Sequence, residues 1–252
     1  MKPSGNTILL SGGGSGIGRR LVQRWHDAGN VVIVTGRTLA SLEETIAGRA
    51  DLHARVLDVT DPAAIAAFAA EIVAEFPALN VLVNNAGIMR FEDLTSPRDL
   101  ADAEATIATN LLAPIRLTDA LIAHLKAQPD AAIVMVSSGL AFVPMARTAT
   151  YNATKAAIHS YSQSLRHQLA GQVEVIELAP PAVQTELTPG QSTRARYLPL
   201  ETFIDQAMAL LETQPTPPEV LVPNALFLRN AEAEGRYADV FEVLNRDFGH
   251  ND

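Results

Sequence analysis

Tyr151 and Lys155, in the stretch YNATK, stand four residues apart, and on a helix that spacing puts both side chains on one face. A phenol with its ordinary pKa of about 10 is a poor proton donor or acceptor at neutral pH. An ammonium group beside it favours the phenolate and brings proton transfer within reach. Upstream, the apolar run AAIVMV ends in Ser137 and Ser138, at the kind of strand end that faces the ligand crevice of a doubly wound sheet. VLVNNAG, residues 81–87, is another apolar run ending in small polar residues, and Asn110 interrupts an otherwise apolar helical pattern. Each feature alone also reads as ordinary structure: an exposed helix pair, a turn cap, a strand end. Their joint order along one chain has no such ordinary reading.

A second cluster precedes them. SGGGSGIGRR, residues 11–20, follows an apolar strand and opens a helix carrying Leu21, Val22, Trp25 and Ala28 on one side, ended by Gly29. The backbone N–H groups at such a helix start bind phosphate. A P-loop would place Lys and Ser or Thr after Gly18, where Arg19 and Arg20 stand, and the G-x-G-x-x-G fingerprint finds Ile17 or Arg19 in place of its last glycine. What fits is Gly12-x-x-x-Gly16-x-Gly18.

Apolar runs at 7–10, 31–35, 81–84, 132–136 and 173–178 read as buried parallel strands, with a weaker one at 53–57. Between them lie helical patterns, such as Ile65, Phe68, Ile72 and Phe76 behind Asp61 as N-cap and Pro62 at the first helical position. The spacing predicts a long helical stretch over 97–127 kinked at Pro114, a helix from 150 that stops at Gly171, and a helical tail over 224–245. Residues 180–218 are proline-rich and irregular apart from a helical patch at 203–211, which suits a lid or binding loop. Alternating strands and helices predict an α/β chain, doubly wound, with a mostly parallel central sheet flanked by helices on both faces. One domain over 1–252 is expected, with a cofactor half at about 1–130 and a catalytic and substrate part at about 131–252.

Composition narrows the partners. With 48% hydrophobic and 19% charged residues the chain suits a packed globule, and a net charge of −9 disfavours nucleic acid and anionic membranes. Zero cysteines exclude disulfides, thiolate metal sites and cysteine nucleophiles. The six histidines, His26, His53, His124, His159, His167 and His250, show no ligand spacing, so no metal is expected. Only three consecutive apolar residues precede the glycines, and a cytoplasmic location is the expectation.

Taken together, the motifs resemble the short-chain dehydrogenase/reductase family, whose pattern runs TGxxxGxG, NNAG, a helical Asn, a Ser, YxxxK and a Pro-Gly loop. Here these are SGGGSGIG, NNAG, Asn110, Ser138, YNATK and Ala179-Pro180-Pro181, spanning roughly residues 5–190. SSGLAFVPMA, YNATKAAIHSYS and LAPPAVQTEL resemble, more narrowly, the DltE-type bacterial oxidoreductases of that family. The chain departs from the pattern at Pro181, where glycine is usual, and lacks the common VDGG ending.

The resemblance implies a single-domain Rossmann fold and hydride transfer between a nicotinamide cofactor and a carbonyl or secondary alcohol. In that family the serine lies thirteen residues before the tyrosine, which selects Ser138. Tyr151 would exchange the proton, Ser138 would bond the same oxygen, Lys155 would also hold the ribose, and Asn110 would anchor a relay water. Gly12, Gly14, Ser15, Gly16, Ile17 and Gly18 would meet the pyrophosphate side, with Asp58 and Val59 at the adenine. Asn84, Ala86 and Gly87 would line the adenosine and ribose, and Pro180, Val183 and Thr185 the nicotinamide.

The second strand ends at Gly36-Arg37 with no acid to accept from ribose hydroxyls, and an arginine there can meet a 2′-phosphate, so NADP(H) is expected over NAD(H). Candidate substrate-pocket walls are Met89, Leu140, Phe142, Val143 and Met145, which point to an apolar small-molecule carbonyl or alcohol. The family implies a homodimer or homotetramer. The alternative is an NADP(H)-sensing binding protein on the same fold with little or no catalysis.

Overall fold

The computed structural model describes residues 1–246; His250 lies outside the described residues. Strands β1 (Thr7–Ser11), β2 (Val31–Gly36), β3 (Leu52–Val56), β4 (Leu79–Asn84), β5 (Ala132–Val136), β6 (Glu174–Leu178) and β7 (Glu219–Val220) form one sheet in the order β3-β2-β1-β4-β5-β6-β7. All six neighbouring pairs are parallel. The helices are α1 (Gly16–Asp27), α2 (Leu39–Ile46), α3 (Pro62–Glu75), α4 (Ala101–Ile107), α5 (Ala113–Lys126), α6 (Ala149–Gln168), α7 (Leu200–Leu211), α8 (Pro223–Arg229) and α9 (Tyr237–Arg246). None of the described helices is long and apolar enough to cross a membrane.

Every residue of β1, β4 and β5 is buried. Continuous apolar runs are needed because helices cover both faces of a parallel sheet. Side chains alternate between two cores. Ile8 and Leu10 pack with Leu21, Trp25 and Phe203, whereas Leu9 packs with Ile65, Phe68, Leu117 and Ile158 on the opposite face. The chain winds away from β1 in both directions, to β2 on one side and β4 on the other, and this reversal opens a crevice beyond the strands' C-terminal ends.

Local chemistry sets the boundaries. Asp61 caps α3 by accepting from the Ala63 and Ala64 N–H groups at 2.8 and 3.2 Å, with Pro62 at a position that needs no donor. The stretch expected as one kinked helix over 97–127 starts only at Ala101 and contains a π turn, Ala108–Leu112, between α4 and α5. Pro114 is the cause: it has no N–H to return to the Asn110 carbonyl, so the α-helical register stops and the Ala113 N–H reaches back five residues to Ala108. The tail expected as one helix over 224–245 is two, because the polar turn between α8 and α9 places Gly235 at φ 67. β7, two residues long, is too short to leave a periodic signal.

Candidate active site

α6 carries Tyr151 and Lys155 to the end of β5, and its first turn is fastened from outside. Thr148 makes no side-chain cap; instead the Glu92 carboxylate accepts from the Thr150 N–H and hydroxyl, both at 2.6 Å, and pairs with Arg98. Burial acts to raise the Glu92 carboxyl, but the bonds from Thr150 and Arg98 outweigh it and hold the group below the usual carboxylate range.

Tyr151 and Lys155 are both buried. The Lys155 ammonium donates to the Val136 carbonyl at 2.8 Å and lies 5.6 Å from the centroid of the Tyr151 ring. Burial lowers Lys155 to about 8 and raises Tyr151 to about 12, with a hydrogen bond to Ser138 pulling the phenol the other way. Ser138 starts the short turn Gly139–Ala141, its hydroxyl accepting from the Leu140 N–H at 3.1 Å. Asn110 sits in the π turn and holds Ile88 by both backbone groups, accepting from its N–H at 2.9 Å and donating to its carbonyl at 2.8 Å. Its amide also donates to Thr154 at 3.4 Å, so one side chain ties the 87–89 segment to α6.

Ser138, Tyr151 and Lys155 lie at one end of a cleft of about 500 Å³ at the C-terminal edge of the sheet. Its floor is the glycine turn from Gly12 through Gly18, without Gly13, and its far end is Arg37, Asp58 and Val59. Ala86, Gly87, Pro180, Val183 and Thr185 line the walls. Gly12 is at φ 78, and a Cβ there would come within 2.6 Å of the Ala86 Cα. Ser15 is the N-cap of α1, and its hydroxyl caps no N–H, which leaves the first-turn donors of the helix facing the cleft. Asp58 accepts from the Thr60 N–H and hydroxyl at 2.9 and 2.7 Å, which, with Arg37 nearby, holds its carboxyl below the usual range. Phosphate donors at the floor, an acid and a cation at one end and an amine at the other fit a dinucleotide.

Several expected positions fall elsewhere. Asn84 does not line the cleft: its amide donates to Thr118 at 3.2 Å and to the Met135 sulfur at 3.4 Å, and Asn85 lines the cleft instead. The two-residue strand period could have shown this, since it puts Asn84 on the side of Leu82, toward α5. Met89, Met145 and Leu140 pack together against Tyr151, but Phe142 and Val143 do not join them. Phe142 lies between His159 and Arg229, and Val143 is buried against Ala231 and Val240. The apolar wall is completed by Leu187 and by Leu244 of α9, which the sequence reading missed. Asn245 fastens α9 there, accepting from the Ala146 N–H at 2.6 Å and donating to the Pro144 carbonyl at 3.2 Å. Arg19 and Arg20 are taken up by partners within the protein: Arg19 donates to the Gly14 and Ser41 carbonyls and pairs with Glu44, and Arg20 forks onto Glu201 of α7.

The family model for short chain dehydrogenases matches residues 6–195. This chain belongs to the short-chain dehydrogenase family. It is 45% identical over 190 residues to the uncharacterized oxidoreductase DltE of Bacillus subtilis (strain 168), covering 74% of this chain and 75% of the relative. It is 34% identical over 186 residues to sulfoacetaldehyde reductase 2 of Chromohalobacter salexigens, covering 72% and 74%. A crystal structure of a short-chain dehydrogenase from Streptomyces avermitilis shares the fold, with a TM-score of 0.81 at 24% identity over 98% of this chain and 99% of the other. This short-chain dehydrogenase is therefore an oxidoreductase of a family that binds nicotinamide cofactors.

Proposed function

We propose that this short-chain dehydrogenase interconverts an apolar aldehyde or ketone and the matching alcohol with NADP(H). The observation that carries the reading is the placement of Ser138, Tyr151 and Lys155 together at the end of the dinucleotide-sized cleft, beside the Met89, Met145 and Leu140 wall. The bound nicotinamide supplies or accepts the hydride.

The remaining work falls to the chain's own groups. The Ser138 hydroxyl donates to the substrate oxygen and orients the carbonyl beside Tyr151. Tyr151 gives that oxygen its proton in reduction and takes it back in oxidation. With a pKa near 12 the phenol holds its proton firmly, and a positive charge brought close to it favours the phenolate. Lys155 contributes part of that charge and anchors the ribose; Asn110 holds the Ile88 backbone against α6 and anchors a relay water. Arg37, exposed and without a hydrogen bond or salt bridge among the described residues, is free to pair with a 2′-phosphate.

The substrate wall is apolar, and three cations near its Met89 and Met145 side in sequence are engaged. Arg90 pairs with Asp102, Arg98 with Glu92, and Arg147 lies 5.1 Å over the Phe91 ring. An uncharged substrate fits this wall better than the sulfonate of the Chromohalobacter relative. Self-association belongs to the same reading, carried by Leu100, Ile107 and Leu112, which stand exposed along α4 and the π turn. The reading is tested by following NADPH oxidation against a panel of apolar and anionic aldehydes and ketones, with NADP⁺ reduction against the alcohols. Tight NADPH binding without turnover on any of them would favour a cofactor sensor.

A further inference from the structure

Glu177 lies on β6 with none of its side chain exposed, in the otherwise apolar run VIELA. A carboxyl taken out of water must be hydrogen-bonded or paired to be tolerated. Its register partner on β5 is Met135, which brings it beside the end of that strand and next to Ser137. The Ser137 hydroxyl donates to Glu177 Oε1, and His159 Nδ1 lies 2.7 Å from Oε2. His159 is on α6, four residues beyond Lys155. Gln163 Nε2 is 3.0 Å from His159 Nε2; with that amide donating, Nε2 accepts and Nδ1 carries the proton given to Glu177.

The same cluster reaches the other side of Ser138. The Phe142 ring packs edge-on against His159 with centroids 4.9 Å apart, and the Arg229 guanidinium lies 4.9 Å over it. Arg229 in turn forks onto Glu219 of β7 at 2.7 and 3.1 Å. Ser137 and Phe142 therefore bracket Ser138, and both are fastened to one buried polar group of residues. The donor atoms of His159, Glu177 and Glu219 lie within 4.8 Å of one another, a spacing that suits a cation. Arg229 already covers both oxygens of Glu219, and Ser137 and His159 cover those of Glu177, so the cluster is a brace.

We propose that Glu177, held by His159 and acting through Ser137, is a positioning residue that fixes the Ser138 hydroxyl at the substrate oxygen. The inference rests on the role assigned to Ser138 above. Main-chain bonds hold the chain on either side of Ser138, from Ser137 N–H to Leu178 and from Gly139 N–H to Pro180, both at 2.9 Å, and Lys155 holds the Val136 carbonyl one residue before Ser137. The Ser137–Glu177 bond adds a side-chain restraint at the residue next to Ser138, and small displacements of a reacting group carry large rate penalties.

The test compares Ser137→Ala, Glu177→Gln, Glu177→Leu and Ser138→Ala, using a carbonyl substrate from the panel. Ser137→Ala and Glu177→Leu are expected to lower kcat about 10- to 100-fold while KM and the NADPH Kd stay within about twofold. Glu177→Gln, which keeps an acceptor oxygen for Ser137, is expected to recover part of the loss. A purely structural brace would change the melting temperature and leave kcat unaltered; kcat within twofold of wild type in the folded variants overturns the proposal. Ser137→Ala removes only a hydroxyl and decides the matter if Glu177→Leu does not fold. Wild-type turnover in Ser138→Ala would instead overturn the function from which the inference starts.

Discussion

The Lys155 ammonium donates to the Val136 carbonyl at 2.8 Å and lies 5.6 Å from the centre of the Tyr151 ring, so one buried cation serves both the end of β5 and the phenol. Because Tyr151 holds its proton with a pKa near 12, it is an acid at neutral pH. Tyr151→Phe removes the phenolic O–H, to which the proposed function assigns the proton transfer, and leaves the ring. Turnover is expected to fall about 10²- to 10⁴-fold, the usual worth of a positioned acid or base. NADPH affinity, read by fluorescence titration, should stay close to wild type. A near-normal rate would remove Tyr151 from the chemistry.

Lys155 makes a stability prediction of opposite sign to its catalytic one. Its pKa falls from 10.5 to about 8 on burial, so the folded protein gives up the proton more readily than the unfolded chain. The stability linked to this group is present above 10.5 and is lost as pH falls through 8, a difference of about 3 kcal/mol for a shift of this size. Lys155→Met carries no such charge. At pH 7 the variant is expected to be inactive yet at least as stable as wild type in urea, and wild type should gain on it between pH 8 and 10. A stability gap that does not change across that range would contradict the buried-ammonium account.

Elements whose signal is local were legible in the sequence. The apolar runs gave six strands within a residue or two, and Asp61 before Pro62 marked the start of α3 because cap and helix are adjacent in the chain. Tyr151 and Lys155 could be paired because helical spacing brings them together. Features that depend on distant partners were not legible. Glu92 caps α6 from 58 residues away, and Leu244 reaches the Met89 wall from the far end of the chain. Arg19 and Arg20 stand next to each other in the helix, yet one goes to Glu44 and the other to Glu201, a choice made by tertiary packing. Glu177 gave no periodic signal, since its partners come from the residue after β5 and from α6.

Arg37 sets the expected cofactor preference. A charge-assisted bond from a guanidinium to a phosphate contributes about 1.5–3 kcal/mol, or roughly 10- to 100-fold in affinity. Arg37→Ala should weaken NADPH binding by about that factor and leave NADH nearly unchanged, because Asp58 and the glycine turn remain. Competitive titration with both cofactors measures it. Equal losses for the two would assign Arg37 to the loop rather than to the 2′-phosphate.

Gly13 is a glycine for want of space. A Cβ on it would overlap a methyl of Val34, with Leu10 Cδ2 at 3.1 Å behind, and both neighbours are fully buried on one face of the sheet. Neither can move aside without disturbing the core, and overpacking of this kind costs about 1–3 kcal/mol. Gly13→Ala is therefore expected to lower stability by that amount in urea unfolding. Val34→Ala alone should also destabilise, by leaving a cavity. Since the second change removes the group that the first one strikes, the double variant should lose less than the sum of the two. Strict additivity would show that the turn accommodates the extra methyl by shifting away from β2.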